Sequence, residues 1–155
     1  MSCEDDDVAT AVIARWRTSA TLPVLVPGDI ERGEELSSYQ PGEPPERRVA
    51  RRVPYATLDV KQGPDANIET AGGDYVDHRH VTIAIYGLEA DVATALSAAR
   101  TRFIRQALDV SNVTAFMACL DIPGEGGLKR AEGHRAGEHI WVGTLALVVK
   151  THRSY

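Results

Sequence analysis

The sequence predicts an α+β domain: an antiparallel (mixed) β-sheet with two helices packed on it, in the order α-β-β-α-β-β. Three observations carry that prediction. Two strand-like runs, residues 53–60 and 75–87, follow each other with only a polar turn between them. A helical apolar stripe comes next, and two further apolar runs, 113–122 and 139–150, close the chain. Strands grouped in pairs, without β-α-β alternation, indicate helices segregated onto an antiparallel sheet.

The elements follow in order. Asp5, Asp6 and Asp7 place negative charge where a first helix begins, and Val8, Ala11, Val12 and Trp16 give it one apolar face. Arg15 and Arg17 suit its C-terminal end, and the helix is expected to stop near residues 18–20. Pro23 and Pro27 forbid its continuation and suggest a short extended piece. Residues 31–52 have no apolar period and hold Pro41, Pro44 and Pro45, so a long loop is expected. Its end carries Arg47, Arg48, Arg51 and Arg52. They suit either the solvated base of a loop or a contact surface for a partner chain.

In "VPYATLDV", Ala56, Leu58 and Val60 alternate with Tyr55, Thr57 and Asp59, as a strand with one buried face requires. Pro54 fits the strand start, where its missing N–H does least harm. "YVDHRHVTIAIYG" is expected to pair with it as an antiparallel hairpin, with residues 61–73 as the turn. The second helix is expected from Glu89 or Asp91 to Leu108. Val92, Ala95, Leu96, Ala99, Phe103 and Ala107 form its stripe, and its small residues permit close approach to a sheet. "VTAFMACLDI" and "HIWVGTLALVVK" are the last strands; the latter is apolar on both faces and so belongs in the sheet centre. Between them residues 123–139, with five glycines, are expected to form a flexible loop or hairpin tip.

Composition narrows the function. A length of 155 residues favours one domain, 1–155. Net charge is −5, which argues against a dedicated nucleic-acid binder. Cys3 and Cys119 have no CxxC neighbour, so a reducing cytoplasm is expected. The start "MSCEDDD" is acidic where a secretory signal is basic and then apolar, and no apolar run approaches the roughly 20 residues of a membrane span.

No catalytic constellation emerges. His78 and His80 share one face of a strand, but a zinc or iron site needs at least a third ligand. Asp77 points the other way, and His134 and His139 lie in or beside the glycine-rich stretch. There is no GxSxG, and Cys119 falls within a strand pattern as a buried thiol would. "PGEGG" lacks the Lys-Ser or Lys-Thr of a phosphate loop and opens no helix. No spacing supports acid–base work by Asp59 with Asp121 or Glu138. No enzyme activity, cofactor or metal is therefore expected.

The layout over Val8 to Lys150 resembles the phage tail-terminator (tail-completion) proteins, the lambda-like minor tail protein U group. The likeness rests on the N-terminal helix followed by "LPVLVPGDI", a Pro-rich loop leading into "VPYATLDV", then "HRHVTIAIYGLEADVATALSAARTRFIRQAL", and two closing strands around a polar loop. The resemblance implies no catalytic residues. It implies a homohexameric ring that caps the tail tube, stops its polymerisation and meets the head–tail connector or stopper protein. The expected location is the head-proximal end of the tail, with the host cytoplasm as the site of assembly and no membrane contact. An acidic protein suits a channel through which DNA slides without specific binding. In such a ring Arg47, Arg48, Arg51 and Arg52 are the expected subunit-interface residues, and edge strands offer joining points. Two alternatives are another connector or stopper subunit, and a small ligand-binding domain or enzyme using His78 and His80.

Overall fold

The computed structural model describes residues 5–32, 54–62, 68–69, 75–104, 106–110, 113–119, 127–130 and 140–153. In chain order the elements are α1 (Asp5–Arg17), α2 (Leu22–Leu25), β1 (Ile30–Arg32), β2 (Tyr55–Gln62), β3 (Ile68–Glu69), β4 (Tyr75–Gly87), α3 (Glu89–Phe103), β5 (Ala107–Val110), β6 (Val113–Cys119), β7 (Gly127–Arg130) and β8 (Trp141–Arg153). The expected α+β class is the observed one. The expected six elements correspond to α1, β2, β4, α3, β6 and β8.

All eight strands join one mixed sheet whose main path runs β1-β2-β4-β8-β6-β5. The β2–β4 hairpin is antiparallel, with Ala56 opposite Ile85, Leu58 opposite Ile83 and Val60 opposite Val81. Strand β4 continues the ladder into β8, pairing Val81 with Leu147 and Ile83 with Leu145. These residues are buried on one face, under the helices. The central place expected for the last strand is confirmed: β4 lies along one edge of β8, while β6 and β7 share the other.

The helices fill a curved sheet. Helix α1 touches β1 and β2 near one end of the strand order and β5 at the other. The sheet therefore curls around α1, and the helices occupy its concave side. Val8, Val12 and Trp16 of α1 are fully buried there, as are Val92, Ala95, Ala99 and Phe103 of α3. The rings of Trp16 and Phe103 lie 6.4 Å apart between centroids. Burial of the Trp16 indole N–H leaves it without a hydrogen-bond partner among the described residues.

One glycine sets the helix–sheet distance. A Cβ at Gly143 in β8 would fall 2.7 Å from Val92 Cγ1 and 3.4 Å from Leu96 Cδ2. The absence of a side chain there lets α3 settle onto the sheet. The small residues of the α3 stripe, Ala95 and Ala99, act in the same direction.

Several expectations are corrected. The Pro23 segment is a short helix, α2, with the proline in its first turn, where a missing N–H costs nothing. Helix α3 ends at Phe103, not Leu108: Ile104 is extended (φ −64°, ψ 128°), and residues 107–110 pair with β6. Ala107 thus belongs to a strand, and a non-local ladder outweighs local helix propensity. The loop placed at 31–52 starts later, because Glu31 and Arg32 belong to β1, which pairs in parallel with β2. The loop placed at 123–139 contains β7, in which Gly127 pairs with Thr144 and Leu128 with Gly143. The rest of both stretches lies outside the described residues.

Candidate assembly surface

The two ends of the first helix are tied by charge. Arg17 donates Nε and Nη2 to the Asp29 carboxylate at 3.2 and 2.9 Å, and Arg32 pairs with Asp6. Asp29 adopts a left-handed backbone (φ 64°), a conformation that aspartate tolerates better than most residues. Its carbonyl accepts from the Ala56 N–H at 2.9 Å, which starts the parallel β1–β2 pairing.

The convex face of the sheet carries no helix among the described residues. Its central rows consist of small side chains. Thr57, Ala84 and Thr144 lie side by side across β2, β4 and β8, and beside them run Asp59, Thr82 and Ala146. All but Asp59, which is exposed, are half-buried. One end of the face is closed by Tyr55 and Tyr86, whose rings stack 5.0 Å apart at 17°. Burial holds the Tyr86 phenol above its usual range, a hydrogen bond with Thr57 opposes that shift, and the charge of Asp59 adds to it. At the other end stand Lys61 and Lys150, both exposed, with His80 half-buried between their strands.

The helix layer offers a second surface. The outward side of α3 shows Ala93, Thr94, Ser97 and Thr101, all exposed. An open groove of about 540 Å³ runs between α3 and α2, lined by Thr21, Leu25, Ala93, Ser97, Ala98 and Thr101. Val24 of α2 is 77% exposed, a large apolar side chain left in solvent.

The residues singled out in the sequence fare unevenly. Arg47, Arg48, Arg51 and Arg52 lie outside the described residues. His78 and His80 occupy alternate positions of β4, opposite Lys150 and Val148. Among the described residues no group of three or more His, Cys, Asp or Glu comes together as a metal site. Cys119 pairs in register with Leu147, while Asp121, His134, Glu138 and His139 lie outside the described residues.

Two features went unread in the sequence. Arg79 is a buried charged residue on the concave face, in line with Val81, Ile83 and Ile85. Its only local signal was that alternation. The other is a reciprocal hydrogen bond between Arg15 and Arg102, which joins residues 87 positions apart.

No family model and no curated protein sequence matches the chain. Among solved structures, the chain is similar to one from the virion of a native gene transfer agent particle. The TM-score is 0.62 and the identity 16%, over 92% of each chain. At that identity the likeness establishes a shared fold, extending over nearly the whole of both chains.

Proposed function

We propose that this chain is a structural protein of a phage or phage-like virion, and specifically a tail terminator. In this reading its copies form a homohexameric ring on the tail tube, stop the tube's polymerisation and present a surface to the head–tail connector. It acts at the head-proximal end of the tail, after assembly in the host cytoplasm, and is not an enzyme.

The observation that carries the reading is the fold shared, over 92% of both chains, with a component of a gene transfer agent virion. The layout resemblance of residues 8–150 to tail-terminator proteins supports the finer assignment. The molecule also has surface features of the kind assembly uses: an open groove between α2 and α3 beside an exposed valine. The net charge of −5 suits a ring through which DNA moves without being retained.

Tail length tests the proposal. Electron microscopy of particles made without the protein should reveal tails of irregular, extended length, and complementation should restore uniform tails. Uniform tails in its complete absence would remove the terminator role. Headless tails of normal length would instead indicate a connector or stopper subunit.

A further inference from the structure

We infer that two copies of this chain pair through the groove between α2 and α3, each laying its own α3 antiparallel along the other's. The pairing goes beyond the terminator reading and does not depend on it.

Apolar surface marks the groove as a contact. Leu25 of α2 and Ala93 and Ala98 of α3 line it. Among the described residues the exposed large apolar side chains are Val24, at 77%, and Leu88, at 57%. They belong to α2 and to the N-cap of α3, the two elements that wall the groove. Along α3 the exposed residues Ala90, Thr94, Ser97 and Thr101 follow one another at spacings of four, three and four. That spacing forms the seam a second helix packs along, and side chains this small let the two axes come close.

Charge selects a second copy as the occupant and fixes its direction. Glu89 lies in the first turn of α3 and Arg100 in the last. Eleven positions are close to three full turns, so the two side chains stand on the same side of the helix, about 16 Å apart. Both are exposed, and neither forms an ion pair with a described residue. A two-fold axis across the seam brings Glu89 of each copy to Arg100 of the other, so the attraction is made twice. A parallel arrangement would instead set Glu89 against Glu89 and Arg100 against Arg100, with the helix dipoles aligned unfavourably. Asp91 and Arg102 have the same spacing, but Arg102 is already held by the Arg15 carbonyl and the Thr18 hydroxyl. A contact of this kind is isologous and closes at two copies, so it is distinct from the head-to-tail contact of a ring.

The test uses sedimentation of the full chain and cysteine linkage in a background with Cys3→Ser and Cys119→Ala. The unmodified protein should show a concentration-dependent dimer that weakens as salt is raised. Arg100→Glu should weaken the dimer about tenfold, because two exposed ion pairs become repulsions. Adding Glu89→Arg in the same chain should restore it. Circular dichroism separates loss of pairing from loss of fold, and a folded double swap that stays monomeric overturns the proposal. Ser97→Cys should link to itself through a short bismaleimide. Glu89→Cys should link to Arg100→Cys and not to itself; self-linkage of Glu89→Cys would mean a parallel pair and overturn the antiparallel contact. A chain that stays monomeric at the highest attainable concentration overturns the pairing, as does an oligomer in which Ser97→Cys fails to link. Tail length enters none of these measurements, so the pairing and the terminator reading fail separately.

Discussion

Arg15 and Arg102 each donate Nε to the other's backbone carbonyl, at 2.9 and 3.0 Å. The two carbonyls lie in the last turns of α1 and α3, where intrahelical donors run out. Each guanidinium thus closes the other helix's C-terminal end, and its positive charge meets the negative end of a helix dipole. Arg102 also donates Nη2 to the Thr18 hydroxyl at 2.9 Å. Burial, with the charge of Arg102 beside it, lowers the pKa of Arg15.

Replacing Arg102 by alanine removes both donations and leaves the Arg15 carbonyl dependent on the Thr18 hydroxyl. The expected loss is about 1–2 kcal/mol, from hydrogen bonds worth about 0.5–1.5 kcal/mol each. Arg102→Lys should recover only part of it, because a single ammonium lacks the planar fork. A urea-denaturation double-mutant cycle with Arg15→Ala should give a coupling energy clearly different from zero.

Gly143→Ala should destabilise by about 1–3 kcal/mol through overpacking against Val92. Val92→Ala in the same chain should recover part of the loss, because it removes the clashing methyl. If the double variant melts below Gly143→Ala alone, the helix–sheet contact is not limited at this point.

Phe103→Ala should cost about 3–5 kcal/mol, since its side chain is fully buried beside Trp16. Thermal denaturation reads this directly, and an unchanged midpoint would place the α3 stripe outside the core.

Tyr86 should ionise above the ordinary tyrosine value of about 10. A folded-state pKa raised above the unfolded one favours the neutral form, so its stability contribution is complete below the unfolded pKa. It is lost as pH rises through the folded pKa, at the alkaline end. Asp59→Asn should bring the Tyr86 titration down, by ultraviolet difference absorbance, because Asp59 contributes to the raised value.

Charge reversal at Arg47, Arg48, Arg51 and Arg52 should leave the circular dichroism spectrum of the free protein unchanged and block its assembly on tails. Four arginines within six positions suit carboxylates on an acidic neighbour. Uniform tails with the reversed protein would remove these residues from the interface.

The elements legible in the sequence were those whose burial is periodic. The α3 stripe through Val92, Ala95, Leu96, Ala99 and Phe103 and the β2 alternation of Ala56, Leu58 and Val60 are all buried as their spacing implies. The doubly apolar 139–150 run identified the central strand in the same way. What only the tertiary structure decided were pairings between distant segments: β1 in parallel with β2, β5 with β6, and polar, glycine-led β7 with β8. The same holds for the gathering of all the described helices on one side of the sheet, with an open groove between α2 and α3. Local spacing records how a segment meets water and core. A short strand is stabilised by the ladder its neighbour provides, and the end of α3 by a ladder that competes with helix, so neither is written in the residues that form it.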